Sequence, residues 1–369
     1  MQAIVLVGGE GTRLRPLTTT TPKPLLPIVE VAFLERQLQW LAGYGVDDVV
    51  LSLGHLPDAF INHFPSGRFE NIRLRCVVES APLGTAGAIR FAADEAGLDS
   101  RTVVCNGDVL TSLNLSDLEK FHNDSDAEAT ISLTWVDDPS AFGVVETAAD
   151  GRVKQFIEKP RREDAPTQWI NSGTYILEPA ALARIPTIGP VSIERETFPQ
   201  MLADKASLYA FATKGYWIDI GTPEKYRQAH IDVLAGVMGV PPAPNAREIS
   251  AGCWRVSAGA ENELPNEVEL VAPVFIGNQA TLGQGAYVAS SVVGADTTVG
   301  PNAVILRSVL QAHVSVGEGA QIVDSIVAAG AVIGAGASVA NDSIIGEGAQ
   351  VAPGTSLNGA RLEPGSRAD

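Results

Sequence analysis

The sequence predicts an α/β domain with a mostly parallel sheet, followed by a second domain built as a solenoid of about five short coils. Three observations carry that prediction. Short β-branched runs alternate with amphipathic stretches through the first half, a Gly-, Pro-, Ala- and Asn-rich stretch interrupts the chain at 236–267, and beyond it aliphatic residues recur every six positions. Strand–helix alternation places helices on the two faces of a parallel sheet. A short fixed period means that each turn of chain stacks on the one before it.

Residues 3–7 read as a buried strand that stops at Gly8-Gly9. Leu34, Leu38 and Leu41 share one helical face, so 32–43 reads as a helix, ended by Gly43 and Gly45. Strands are expected at 49–53 and 73–78, a helix at 86–96, and a strand at 102–105 running into Asn106-Gly107-Asp108. Sheets of this kind bind ligands at the carboxyl ends of their strands, where the GG and NGD turns fall. From about 130 to 230 the pattern becomes mixed, with strands at 129–135, 143–147 and 174–177. Residues 236–267 keep no period and read as a linker, which divides the chain into domains at 1–235 and 268–369.

In the second domain the series starts at Ile276, Leu282 and Val288 and continues through Val293, Val299, Ile305, Leu310, Val316, Ile322, Val327, Ile333, Val339, Ile345, Val351 and Leu357. Most coils run six, six and five residues, or 17 in all. Gly often follows the aliphatic position, as in Ile276-Gly277 and Val316-Gly317, where it tolerates a tight turn. One inward aliphatic per side of a triangular coil makes a stacked core. This hexapeptide repeat resembles the left-handed parallel β-helix family.

Composition narrows the partners. Lys plus Arg number 26 against 43 Asp plus Glu, a net charge of −17, so sequence-independent binding to nucleic acid or an anionic membrane is excluded. Any phosphate chemistry must then concentrate its few cations at one place. Cys76, Cys105 and Cys253 are odd in number and far apart, which excludes a disulfide framework and a CxxC zinc site. The chain opens on an apolar strand with no basic leader, and no run reaches the ~20 apolar residues of a membrane span. A cytoplasmic protein is expected.

Cations and glycines meet first in Gly8-Gly9-Glu10-Gly11-Thr12-Arg13-Leu14-Arg15-Pro16-Leu17-Thr18. Glycines let backbone N–H groups approach an anion closely. The loop lacks the GK[ST] ending of a P-loop, and Leu14 breaks a dinucleotide fingerprint. Arg13 and the Lys23 of Pro22-Lys23-Pro24 place two cations within reach of one phosphate chain, with prolines fixing the backbone around Lys23. Arg15 stays open between phosphate contact and plain surface charge.

GGEGTRLRPLT with PKPLLPI resembles the signature of the sugar-phosphate nucleotidyltransferases, or NDP-sugar pyrophosphorylases. PLGTAGAI (82–89), NGD (106–108), FGVVE (142–146), FIEKP (156–160), NSGTYIL (171–177) and WIDIGTPEKY (217–226) follow in family order. PLGTAG and PVSIERETFP (190–199) are most similar to the mannose-1-phosphate guanylyltransferase branch. One segment departs: where many relatives carry Asn/Gly-Lys-Pro before the first long helix, this chain has Val29-Glu30-Val31-Ala32-Phe33. The resemblance implies that this segment supports the loop carrying Lys23.

The resemblance implies a Rossmann-like catalytic domain that joins an NTP to a sugar 1-phosphate, giving NDP-sugar and pyrophosphate. It points to GTP and mannose 1-phosphate; ATP, UTP or dTTP with glucose 1-phosphate, or a silent regulatory subunit, are the alternatives. It implies that Arg13 holds the triphosphate, that Lys23 bridges the phosphates of both reactants, and that Lys159 grips the attacking sugar phosphate. Nucleotide contacts are expected from Leu6, Gly8, Gly9, Gly11, Thr12, Glu79, Pro82, Gly84, Thr85 and Asp108. Sugar-phosphate contacts are expected from Gly143, Glu158, Lys159 and Asn171. Asp108 and Asp219 are expected to share a Mg²⁺, which takes one or two carboxylates plus substrate phosphates. Guanine offers two adjacent donors, N1–H and N2–H₂, that one carboxylate accepts together, so Glu79 is expected to favour GTP.

None of His55, His63, His122, His230 and His313 has metal-ligand spacing. His313 lies on the solenoid, where some β-helix acyltransferases use a His as base; a surface or interface role is the simpler reading. Solenoid ends and faces leave edges that need cover, so a homo-oligomer assembled through the β-helix is expected.

Overall fold

The computed structural model describes residues 1–239, 241–256, 264–265 and 267–369. It divides into two compact units, one of residues 1–10 and 34–219, the other of residues 11–33 and 220–369. Among the described residues no helix is long and apolar enough to cross a membrane.

The first unit is built on a mixed sheet. Its centre is four parallel strands in the order Thr102–Asn106, Gln2–Leu6, Asp48–Leu53 and Ile72–Val78. The first three are largely apolar and buried, as strands covered on both faces require, whereas Ile72–Val78 alternates apolar residues with Arg73 and Arg75 and is partly exposed. The register places Leu6 opposite both Ser52 and Asn106, and Leu53 opposite Val78. All four strands therefore end at one edge, followed there by Gly8, Gly54, Glu79 and Asp108. Strand Trp169–Leu177 joins antiparallel to Thr102–Asn106 and carries the sheet on to Gly143–Thr147 and Val153–Glu158. The core gathers Ile4, Val50, Ile89, Val104, Ile131, Tyr175 and Phe198.

The second unit comprises a parallel β-helix, helix Pro223–Leu234 and the segment 11–33, which includes the helical turn Leu17–Thr20. Equivalent positions Thr281, Thr298, Ser315, Val332, Gln350 and Arg367 pair in one row of parallel strands, in steps of 17 residues with one step of 18. Of the fifteen aliphatic positions in the repeat, all from Ile276 to Val351 are buried, and Leu357 of the last coil is half-buried. A second ladder runs through the interior unannounced by any apolar period. The Ser308 N–H donates to Ser291 Oγ at 3.0 Å and the Ser325 N–H to Ser308 Oγ at 3.1 Å, so buried hydroxyls satisfy one corner of successive coils.

Two stretches carry structure that the sequence did not announce. Within 236–267 the chain forms strands Arg247–Ser250 and Cys253–Arg255, and the second pairs in parallel with Glu269–Ile276. The aliphatic period could not register this first coil, because the position in register with Ile276 is Arg255. Val240, residues 257–263 and Asn266 of that stretch lie outside the described residues. Residues 11–33 and 220–235, grouped with the first domain by sequence, belong to the second unit through long-range contacts that leave no local trace.

Candidate active site

The carboxyl edge of the first unit collects Leu6, Gly8, Gly9, Glu79, Pro82, Gly84, Thr85 and Asp108 of the predicted nucleotide residues. Gly8 and Gly54 lie so close that a Cβ on Gly54 would come within 2.7 Å of the Gly8 carbonyl oxygen. Only backbone fits there, which leaves the Gly8-Gly9 turn flat against the edge; a Cβ on Gly9 would meet nothing within 4 Å. Half-buried Leu6 closes the strand beneath this turn. Beside it the Glu79 carboxylate is braced twice. Its Oε1 accepts from the Ser52 hydroxyl at 3.1 Å and its Oε2 from the Leu83 N–H at 3.1 Å. A carboxylate has about four lone-pair sites, so both oxygens keep capacity for a second donor.

Pro82 and Gly84 are exposed, and Gly84 opens helix Gly84–Ala96 with φ of 70°. A Cβ on Gly84 would lie 2.6 Å from the Val191 carbonyl oxygen. The helix start is held by 190–199, a segment whose place the sequence did not disclose. The Thr85 hydroxyl donates to Glu194 Oε2 at 2.8 Å and accepts from the Ile193 N–H at 2.8 Å, while the Ala86 N–H donates to Val191 O at 2.9 Å. Two motifs about a hundred residues apart thus form one wall. The only sequence signal was that both stand out in the same family.

Asp108 follows Gly107, whose N–H donates to Leu6 O at 2.9 Å. Strand Trp217–Asp219 pairs antiparallel with Val109–Thr111, with Asp219 opposite Val109. Asp219 thus lies opposite the residue that follows Asp108, and both Asp residues are half-buried. Among the described residues no cluster of three or more His, Cys, Asp or Glu forms a cage. Two hard carboxylates fit a Mg²⁺ that draws its remaining ligands from phosphate and water.

The sugar-phosphate residues adjoin this edge. The Trp217 indole N–H donates to Ser172 O at 2.9 Å, and a Cβ on Gly173 would overlap the Asn106 side chain, so Asn171–Gly173 borders the NGD turn. Asn171 is oriented at both ends: Nδ2 donates to the Tyr175 hydroxyl at 2.7 Å, and Oδ1 accepts from the Gly173 N–H at 2.9 Å. Burial pushes the Tyr175 phenol well above its ordinary pKa, which keeps it a neutral partner for that amide. Gly143 pairs with Glu158, and the Lys159 ammonium lies 3.5 Å from a Glu158 oxygen. The Lys159 side chain is 58 % exposed, so its charge is available at the surface.

The remaining predicted residues lie in the second unit. Gly11, with φ of 62°, leads into the turn Thr12–Leu14, and the Thr18 hydroxyl donates to Gly11 O at 2.9 Å. Thr12 and Arg13 are exposed, whereas Lys23 is only 8 % exposed and packs against Gly11, where a Cβ would lie 3.1 Å from Lys23 Cβ. A Lys held that far from water is fixed in place by its surroundings. His313 is 66 % exposed at a coil corner, 3.8 Å from Asp296, and all three cysteines are free.

Residues 2–236 match the nucleotidyl transferase family, and residues 257–357 match the LbH domain of EIF2B subunit epsilon. The chain is 39% identical over 293 residues to a mannose-1-phosphate guanylyltransferase of Mycobacterium tuberculosis, covering 79% of each. It is 35% identical over 298 residues to mannose-1-phosphate guanylyltransferase 1 of Arabidopsis thaliana, covering 79% of this chain and 76% of the relative. Among solved structures it is similar to HddC from Yersinia pseudotuberculosis complexed with GMP-PN, with TM-score 0.53 and 35% identity over 62% of this chain and 97% of that one.

Proposed function

The chain belongs to the nucleotidyl transferase family, and from that premise we propose that it joins GTP to mannose 1-phosphate, giving GDP-mannose and pyrophosphate. One observation carries the reading: the carboxyl edge of the main sheet gathers the flat Gly8-Gly9 turn, the braced Glu79 carboxylate and Asp108, and a two-stranded sheet that starts right after Asp108 sets Asp219 opposite Val109. A nucleoside triphosphate needs those three things: backbone at close range, a base reader and a cation site.

A phosphate oxygen of the sugar phosphate attacks the α-phosphorus in line; that O–P bond forms as the bond to pyrophosphate breaks. Both reactants are anions, so positioning and positive charge carry the catalysis. Arg13 neutralises charge on the triphosphate and the departing pyrophosphate, Lys23 bridges the two reactants, and Lys159 holds the sugar phosphate. Leu6 and Gly8 backbone, Gly9, Gly11, Thr12, Pro82, Gly84 and Thr85 hold the nucleotide. Gly143, Glu158 and Asn171 meet the sugar. Asp108 and Asp219 hold Mg²⁺, which offsets charge on the phosphates when bound. Glu79 accepts guanine N1–H and N2–H₂ with the lone pairs that Ser52 and Leu83 leave open.

The test is pyrophosphate release with Mg²⁺ over four NTPs and several sugar 1-phosphates, with a peak expected at GTP and mannose 1-phosphate. A peak at another nucleotide or at glucose 1-phosphate would replace the substrates; no release in any combination would overturn the enzyme reading. The exposed strand residues Val271 and Val332 support assembly through the β-helix. Light scattering that returns the 38.7 kDa mass of one chain would refute that part.

A further inference from the structure

The segment that carries Arg13 and Lys23 is fastened along one corner of the β-helix. Glu30 accepts from the Ala295 N–H, and its Oε1 lies over Gly277, where a Cβ would overlap it. Next to it the Val29 N–H donates to His230 Nδ1 at 3.1 Å. The Tyr226 hydroxyl donates to Pro27 O at 2.6 Å and accepts from Gln311 Nε2 at 3.4 Å; Gln311 Oε1 in turn accepts from the Ala329 N–H at 3.1 Å. At the other end the Thr20 hydroxyl donates to Glu347 Oε2 at 2.9 Å.

These anchors follow the coils in order. The corner ladder runs from His313 N–H to Ala295 O, Gly330 N–H to Ala312 O, and Gly348 N–H to Ala329 O. Ala295 and Glu347 are three coils apart, roughly 14 Å at the spacing of neighbouring strands. Lys23 lies in sequence between the two ends of this clamp. The hairpin at its Glu30 end is strained: Val29 has φ of 50° and Glu30 φ of 65°, left-handed values that a β-branched residue and a Glu avoid. Backbone of that kind persists only where its surroundings over-determine it, and such sites cluster at functional loops. No local turn chemistry in Val29-Glu30 accounts for it, whereas the coil contacts do.

We propose that the β-helix is a positioning element for the phosphate-handling loop, with Glu30 the positioning residue that docks on the Gly277 and Ala295 coils and Thr20–Glu347 closing the far end. This rests on the reading of Arg13 and Lys23 as phosphate-binding cations. Glu30 touches no reacting atom; it acts through the backbone that presents Lys23.

The experiment compares full-length Glu30→Ala, Glu30→Gln and Glu347→Ala with the parent by steady-state pyrophosphate release, thermal unfolding and amide hydrogen exchange over 11–26. Misplacing a catalytic group by about an ångström costs up to about 100-fold, so Glu30→Ala is expected to lower kcat by roughly 10- to 100-fold with KM changed less than about threefold. Exchange over 11–26 should speed up. Glu30→Gln keeps an acceptor oxygen for Ala295 and should stay within about threefold of the parent. A folded Glu30→Ala with unchanged kcat, or a Gln variant as impaired as the Ala variant, would overturn the proposal. If Glu30→Ala does not fold, Glu347→Ala decides: unchanged kcat with unchanged exchange overturns it, and a drop in kcat with faster exchange supports it. A parent without turnover would sink the catalytic reading instead, and the exchange comparison would still report on the docking.

Discussion

Replacing Glu79 with Gln separates two roles that the structure superimposes. The carboxylate accepts one hydrogen bond from Ser52 and one from Leu83, each at 3.1 Å, and in the proposed reaction two more from guanine. Gln is the same size but offers one acceptor oxygen and one NH₂. Ser52 can turn its hydroxyl to accept from that NH₂, so the oxygen stays with Leu83 and the loop loses at most about 0.5–1.5 kcal/mol. Guanine then faces an NH₂ where it needs an acceptor. A hydrogen bond to a charged group is worth about 1.5–3 kcal/mol, which is about 10- to 150-fold in kcat/KM for GTP. ATP has no donors in that arrangement and should lose only the loop contribution. The assay is pyrophosphate release under kcat/KM conditions with each nucleotide at saturating mannose 1-phosphate. Equal losses for GTP and ATP would reduce Glu79 to a brace for the Leu83 turn and would refute its part in base selection.

Arg13→Ala should lower kcat by about 10²–10³-fold, the usual loss of one charge-stabilising donor, and a residual rate near the parent's would remove it from the mechanism. Asp219→Asn should raise the Mg²⁺ concentration for half-maximal rate by at least roughly 10- to 100-fold, the loss typical even of groups one shell further out, and a chelator should silence the parent. Ile305 is fully buried between Val288 and Ile322 of adjoining coils, so Ile305→Ala should cost about 2–5 kcal/mol in denaturant unfolding; a loss under about 0.5 kcal/mol would contradict a close-packed solenoid. Glu30 is exposed as a residue, yet crowding of its carboxylate by the coil, with Asp296 nearby, raises its pKa against the opposing Ala295 N–H. The native state therefore holds that proton more tightly than the unfolded chain, so the parent gains stability relative to Glu30→Gln as pH falls through the raised pKa. Glu30→Gln should melt above the parent at pH 7 and level with it near pH 4; a gap that widens on acidification would reverse the assignment.

Much of the fold is legible because its cores are written in short periods. Three of the four central strands are largely apolar runs, the fourth alternates Ile72, Leu74 and Cys76 with Arg73 and Arg75, and the β-helix needs one aliphatic every six residues. Buried Ser291, Ser308 and Ser325 escaped that reading because a hydroxyl satisfied by the next coil's N–H has no apolar signature. The site was legible in its residue types and only partly in its assembly. Asp108 and Asp219 read as partners by family likeness alone; the register that sets Asp219 opposite Val109 is a tertiary fact. The brace from Glu194 and Ile193 to Thr85 has the same character, since no local pattern links positions so far apart.

The segment from Val29 to Phe33 shows why a departure from a family pattern can carry structural meaning. A two-residue turn with positive φ at both positions ordinarily calls for Asn or Gly, and Val29-Glu30 supplies neither, so sequence reasoning finds no turn there. Its conformation is stable because His230, Tyr226 and Ala295 hold it from outside. The strain and the anchors are two halves of one arrangement: without the coil the backbone would relax, and without the hairpin the Gly277 corner would have no carboxylate to receive. A loop of intrinsically turn-forming residues could present Lys23 unaided. This one is held by the coil instead, which is why the proposed phosphate-binding cations are expected to depend on the β-helix.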